Sequence, residues 1–263
     1  MQLEIDGRTI HCHTGDTPFD PALPTVVLVH GALNDHSVWR QQSRALAARG
    51  YAVLAPDLPG HGRSSGPALR SVEALADWLL ALLDAADVPR ALLAGHSMGS
   101  LVVLEAAHRA PPRAAGLALL GATLPMNVAE ALLTTALLDV RAAIDMVVAW
   151  SHAPSSPDPS VADAARSLMR RLADGSEEPL LHIDLAACNA YTNGAAAAGS
   201  VTCPVVLVQG TMDKMTPPRK AGLLTDAIPQ ATIVTVEAGH AMLQEAPEAV
   251  LDALLAQAMV LAS

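Results

Sequence analysis

The residues best able to do chemistry lie at 95–99, which read Gly95-His96-Ser97-Met98-Gly99. A serine hydroxyl is a weak nucleophile near neutrality and needs a base beside it. The five letters alone are common, so their setting carries the weight. The apolar run ALLAG (91–95) precedes the serine, and a helical pattern opens at Met98 and runs to Arg109. A serine on a sharp strand-to-helix turn is held in a strained backbone, with its hydroxyl exposed at the carboxyl end of the strand. Glycines two residues to either side avoid clashes across that turn. The helix N-terminus beneath it favours developing negative charge. The bland alternative is a plain strand–helix turn with an inert serine.

Ten histidines are available as the base. His240 follows the strand-like run ATIVTVE (231–237) and precedes a helical stretch, so it belongs at the carboxyl end of a strand, where sites on open α/β sheets assemble. His11 and His13 lie in an expected N-terminal hairpin, remote from the serine. His30 and His61 sit in glycine-flanked turns and organise loops. His36 follows His30-Gly31 and shows no evident partner. His96 is expected to point away from the site, as a structural residue. His108 is on the helix leaving the serine, and His152 and His182 fall in a helical segment. The orienting acid is Asp213, directly after PVVLVQG (204–210). Its carboxylate can accept the ring N–H of His240 and stabilise the imidazolium. As an ordinary loop residue it would instead cap the next helix. Asp139, Asp145 and Asp184 fall within expected helices.

A tetrahedral intermediate needs N–H donors aimed at its oxyanion. The backbone of Met98, after the nucleophile, supplies one. The other comes from His30-Gly31-Ala32-Leu33, after TVVLVH (25–30), with Ala32 the first choice and Leu33 the second.

The surrounding elements alternate. LEI and RTIHCH flank Asp6-Gly7 as a hairpin. Strands are expected at 25–30, 51–56, 91–95, 114–122, 204–210 and 231–237, with helices at 36–49, 71–87, 98–109, 218–227 and 247–260. That order implies a mostly parallel sheet with helices on both faces. No strand is legible over 123–199, where helical stretches occupy 129–138, 142–150 and 161–172, separated by a loop at 151–160. The expected division is an α/β core domain of 1–122 and 200–263, with 123–199 as an inserted helical cap. The run of alanines at 195–198 is too short to interpret.

Composition sets outer limits. Aromatics make up 2% of the 263 residues, so Ala, Leu, Val and Met must build the core. A net charge of −10 argues against nucleic acid, which demands clustered Lys and Arg. The start, MQLEIDGRTIHCHTG, lacks the pattern of a signal peptide, and the apolar runs are too short to cross a membrane. Cys12, Cys188 and Cys203 form no CxxC pair, so buried free thiols and a cytoplasmic setting are expected.

Taken together, His30-Gly-Ala-Leu33, Asp57-Leu-Pro-Gly-His-Gly-Arg-Ser64, residues 95–99, Gly210-Thr-Met-Asp213 with Pro217, and Gly239-His240 resemble the successive signatures of the α/β-hydrolase superfamily, from about residue 24 to 260. The resemblance implies an eight-stranded, mostly parallel sheet with one antiparallel strand near its start, and a cap after the sixth strand. It also implies Ser97, Asp213 and His240 as triad, Ala32 and Met98 as oxyanion hole, and no metal or organic cofactor. Haloalkane dehalogenases and epoxide hydrolases of this superfamily carry aspartate where this chain has Ser97. The expected partner is a small-molecule ester, largely apolar because Lys214 is the sole cation beside the triad, bound between cap and sheet by Leu33, Leu124, Met126, Met146, Trp150, Met215 and Met242. Lactone, amide or carbon–carbon hydrolysis and acyl transfer would use the same triad. A slow-turnover receptor is the alternative outside catalysis.

Overall fold

The computed structural model describes residues 1–154, 158 and 160–262. Of the loop expected at 151–160, residues 155–157 and 159 lie outside the described residues. Asp6 and Gly7 both take positive φ, 50° and 71°, the turn geometry that matches the twist of paired strands. They join β1 (Gln2–Ile5) to β2 (Arg8–His13). The remaining strands are β3 (Thr25–Val29), β4 (Ala52–Pro56), β5 (Ala91–His96), β6 (Ala114–Leu120), β7 (Val205–Gly210) and β8 (Thr232–Val236). They form one eight-stranded sheet ordered β1-β2-β4-β3-β5-β6-β7-β8. Only β2 runs against its neighbours; every pair from β4 to β8 is parallel.

Strands β3 to β6 are buried at every position, as a sheet covered on both faces requires. Alternate residues supply opposite cores. Val27, Val29, Leu93 and Leu117 face α2 (Val72–Ala85) and α3 (Met98–Arg109). Val26, Leu28, Leu92 and Ala118 face α1 (Arg40–Ala47) and the C-terminal helix at Pro247–Ala258. Ser71 caps α2, its Oγ accepting the Ala74 N–H at 3.1 Å. The single helix expected at 36–49 is divided. The Asp35 side chain accepts the Ser37 N–H, and His36–Trp39 winds as a 3-10 turn before α1 begins.

Between β6 and β7 the described residues form five helices: α4 (Glu130–Leu138), α5 (Val140–Ser151), α6 (Ser160–Asp174), α7 (Leu180–Ala190) and α8 (Gly194–Gly199). Sequence periodicity sets bounds for neither of the last two, although Asp184 of α7 is expected within a helix. Helix α7 is buried on most of its circumference, Leu180, Leu181, Ile183, Asp184, Leu185, Ala187 and Cys188 included, so it shows no amphipathic stripe. Helix α8 reads GAAAAG and carries no periodic signal at all. Helices α4 to α7 share an apolar cluster that includes Leu132, Ile144, Leu168 and Leu181 and is joined by Leu33 and Ala68 from the sheet side.

Polar ties seat this insertion on the sheet domain. Glu105 of α3, buried, accepts the Tyr191 hydroxyl at 2.8 Å, Asn193 Nδ2 at 2.9 Å and Arg109 Nε at 2.8 Å. Burial alone would raise the Glu105 pKa, but these donors outweigh it and lower it. Glu178 accepts the Ala68 N–H at 2.8 Å and pairs with Arg70 at 2.9 Å. The chain ends with a 3-10 turn at Pro218–Lys220, α9 (Gly222–Ala227), α10 (Met242–Glu245) and α11 (Pro247–Ala258). All three cysteines are free thiols. Among the described residues no helix is long and apolar enough to cross a membrane.

Candidate active site

Ser97 stands between β5 and α3 with φ 54° and ψ −119°, a conformation that non-glycine residues occupy only when the surrounding structure forces it. The forcing is visible. A Cβ on Gly95 would overlap the Gly99 carbonyl, and one on Gly99 would overlap the Val29 carbonyl. Both positions therefore exclude side chains, and the turn tightens until the serine projects. Gly31 is close on the other side, where an added Cβ would lie 3.1 Å from Ser97 Cβ.

His240 follows β8, and Asp213 follows β7. His240 Nδ1 lies 2.7 Å from Asp213 Oδ2, with both residues buried. Asp213 also accepts the Met215 and Thr216 N–H groups at Oδ1, each at 2.8 Å, and the Thr216 hydroxyl at Oδ2, at 2.8 Å. Burial alone would raise this carboxyl. The His240 charge and the converging donors overcome that and hold its pKa at about 2. The ionised Asp213 thus requires the proton of a neutral His240 to sit on Nδ1, leaving Nε2 with a free lone pair. The helix-capping role weighed as the alternative for Asp213 is not what is found: its Oδ1 holds the N–H groups of Met215 and Thr216 in its own loop, and the next helical turn, Pro218–Lys220, has no side-chain cap. Sequence reasoning missed Thr216; the spacing Asp-x-x-Thr is the local signal that could have found it.

His96 does not point away from the site, as expected from the sequence. Its ring centroid lies 4.8 Å from that of His240, and its Nε2–H donates to the His240 backbone carbonyl at 2.8 Å. Burial first, and then the neighbouring His240, push its pKa down to about 3, so the ring stays neutral. His36, expected to lack a partner, has one in Asp57, with Nδ1 2.7 Å from Oδ1. His11 packs against the same ring at a centroid distance of 4.8 Å. Ligand atoms of His11, His36 and Asp57 lie within 4.8 Å of one another and could in principle hold a cation. The Asp57 oxygens are already engaged by the His36 ring, the His36 N–H and the Arg63 N–H, which makes the group a hydrogen-bonded loop clasp.

Ser97, His240, Ala32 and His96 line one cavity of about 530 Å³ between the sheet and the insertion. Neither the Ala32 N–H nor the Met98 N–H has an acceptor among the described residues. The Leu33 N–H does: it donates to Asp184 Oδ2 at 2.8 Å. Of the two oxyanion donors weighed for this loop, Ala32 is the one left open.

The expected substrate-contact residues divide differently. Met215 lines the cavity. Leu33 is fully buried against the insertion's apolar cluster. Leu124 and Met126 are buried in the core beneath, with Leu124 against Gly194. Met242 is fully buried in the core of the opposite sheet face. Met146 and Trp150 share one stripe of α5, four residues apart, while the neighbouring stripe of Val147, Val148 and Ser151 faces the cavity. The insertion adds Leu168 and Met169 of α6 and Leu181 and Leu185 of α7, and the opposite side adds Asn34, Ser37, Gln41, Leu243 and Gln244. Two guanidinium groups, Arg40 and Arg171, also border it, the latter with its side chain 66% exposed; Lys214 is thus not the only cation near the site.

Comparison with known proteins adds an independent line. A curated acetyltransferase component of an acetoin-cleaving system from Pseudomonas putida is 41% identical over 125 residues, 46% of this chain and 32% of its own length. An epoxide hydrolase from Caballeronia sordidicola is 39% identical over 94 residues, 34% of this chain and 28% of its own. The chain therefore spans about a third of the length of these curated relatives. The crystal structure of an enol-lactonase from Burkholderia xenovorans LB400 superposes with a TM-score of 0.87, covering 98% of this chain and 100% of that one at 23% identity, a likeness of fold. The profile described as "Alpha/beta hydrolase family" matches residues 26–253; with that match spanning most of the sheet and the whole insertion, the chain belongs to the alpha/beta hydrolase family.

Proposed function

We propose that the chain is a serine hydrolase that cleaves a small carboxylic ester with a largely apolar acyl group, through a covalent acyl-enzyme. The observation that carries this reading is a single cavity lined by Ser97, His240 and Ala32, with the ionised Asp213 buried behind His240. In this reading Ser97 Oγ attacks the ester carbonyl carbon while His240 Nε2 takes its proton. The resulting oxyanion is met by the unpaired N–H groups of Ala32 and Met98. The carbon–oxygen bond then breaks, and the alcohol leaves with the proton returned by His240. Water repeats the sequence on the acyl-enzyme and restores Ser97. The helices of 123–199 act as a cap: Val148, Leu168, Leu181, Leu185 and Met215 give the acyl group an apolar seat. The exposed Arg40 and Arg171 stand where solvent can still screen them.

Ser97 Oγ has no hydrogen-bond partner among the described residues. Such contacts are often long before substrate binds and tighten in the reacting complex. The test is hydrolysis of 4-nitrophenyl esters of rising acyl length by the parent chain and by Ser97→Ala. The reading expects one preferred chain length and loss of turnover in the variant. Equal turnover in both proteins contradicts it.

A further inference from the structure

The oxyanion loop is held from three sides. His30 Nδ1–H donates to the Gly31 carbonyl at 2.9 Å, and His30 Nε2 accepts the Leu58 N–H at 3.1 Å. One nitrogen donates and the other accepts, so the ring is neutral. Its burial, reinforced by the nearby His61, pushes its pKa down to about 4. Asn34 Nδ2 donates to the Ala32 carbonyl at 3.0 Å. The third hold crosses the molecule: Leu33, at φ 46°, gives its N–H to Asp184 of α7, 151 residues further along the chain.

The same Asp184 oxygen lies 3.0 Å from His61 Nε2, and His61 Nδ1 lies 3.1 Å from the Pro59 carbonyl. The Pro59 carbonyl can only accept, and so can an ionised Asp184. Both ring nitrogens must therefore donate, and His61 is an imidazolium. Burial opposes the charge, but Asp184 foremost among the acceptors outweighs it and raises the His61 pKa. Asp184 and His61 are buried at 1% and 2% exposure, so water cannot replace either partner. The contrast with His30, whose centroid is 5.3 Å away, comes from the neighbouring charges together with hydrogen-bond polarity.

We infer that the buried His61–Asp184 pair is the positioning element of the oxyanion hole. It draws the Leu33 N–H out of the cavity and, with His30 and Asn34 fixing the carbonyls on either side of Ala32, leaves the Ala32 N–H aimed into it. A carboxylate is required because the oxygen that accepts the Leu33 N–H must also balance the charged His61 ring. His61 and Leu33 belong to the sheet domain and Asp184 to the insertion. The seating of the insertion and the shape of the hole are therefore a single event, and this rests on the serine-hydrolase reading above.

The test uses the full chain and the variants Asp184→Asn and His61→Gln. Asn keeps an oxygen that can accept N–H groups but cannot balance the imidazolium, whereas Gln keeps a donor to Asp184 and loses the charge. Outright loss of an oxyanion donor costs about 10²–10³ in kcat, so a misaimed one should cost at least about tenfold, with KM changed by less than about threefold. Nitrogen-15 spectra of the parent near neutrality should show both His61 ring nitrogens protonated, and the Leu33 amide should shift in Asp184→Asn. A neutral His61 ring, or parental kcat in both folded variants, overturns the assignment. If the parent lacks Ser97-dependent turnover, the hydrolase reading fails and takes the catalytic role of the pair with it. Turnover that depends on Ser97 but not on Asp184 or His61 sinks the positioning role alone.

Discussion

Replacing Asp213 with asparagine keeps the volume of the side chain and changes only its hydrogen-bond polarity. Oδ1 accepts two backbone N–H groups, from Met215 and Thr216, each at 2.8 Å. The amide oxygen must occupy that position, because an NH2 there would face two donors. The amide nitrogen then takes the place of Oδ2, 2.7 Å from His240 Nδ1. Thr216 can rotate its hydroxyl and accept instead of donating. His240 has no such freedom: Nδ1 must become an acceptor, the proton moves to Nε2, and no lone pair remains to take the Ser97 proton. The same tautomer error in a serine triad lowers kcat by about 10⁴, and that loss is expected here on the 4-nitrophenyl ester the parent prefers. A stability cost accompanies it. The Asp213 pKa falls from 3.8 to about 2, which corresponds to roughly 2 kcal/mol near neutrality. Because the folded pKa is the lower one, that contribution is fully present above the unfolded value and disappears as pH drops through about 2. The melting difference between parent and variant should therefore be several degrees near neutrality and shrink in strong acid. A folded Asp213→Asn protein within tenfold of parental kcat would refute the tautomer argument.

Other outcomes follow from the same geometry. Gly95→Ala drives a Cβ into the Gly99 carbonyl and should cost at least about 3 kcal/mol, read as a lower urea midpoint; an unchanged midpoint would mean that the turn can relax. Val148→Phe narrows the cavity wall on α5 and should move the preferred ester to a shorter acyl chain; an unmoved optimum would place the acyl group elsewhere. Tyr191→Phe removes one of three donors to the buried Glu105 and should lower stability by about 1.5–3 kcal/mol, while kcat stays at the parental level.

Much of the frame was legible because its causes are local. The run ALLAG before Ser97 is apolar and short, the residues after it form a helical pattern, and the two glycines permit a turn that any Cβ would block. Ser71 capping α2 and Asp6-Gly7 closing the first hairpin are likewise properties of a few adjacent residues. The order of strands and helices and the chain order of Ser97, Asp213 and His240 could be read for the same reason. Helix α7 could not. A helix buried on most sides has no polar stripe, and periodicity is the only signal a lone sequence offers for it.

Only the tertiary structure decided which faces meet. Sequence spacing says that Met146 and Trp150 share a stripe of α5, but packing turns Val147, Val148 and Ser151 to the cavity instead. Met242 and Leu124, close in sequence to residues of interest, are consumed by the cores. His96 reaches His240 across 144 residues, and Asp184 reaches Leu33 across 151. The first contact is set by the loop after β8 folding over the end of β5, the second by how the insertion docks on the sheet, and docking depends on the summed shape of many apolar side chains. A residue's neighbours in the chain therefore determined the turn that presents the serine, while distant residues determined which N–H remains free to face it.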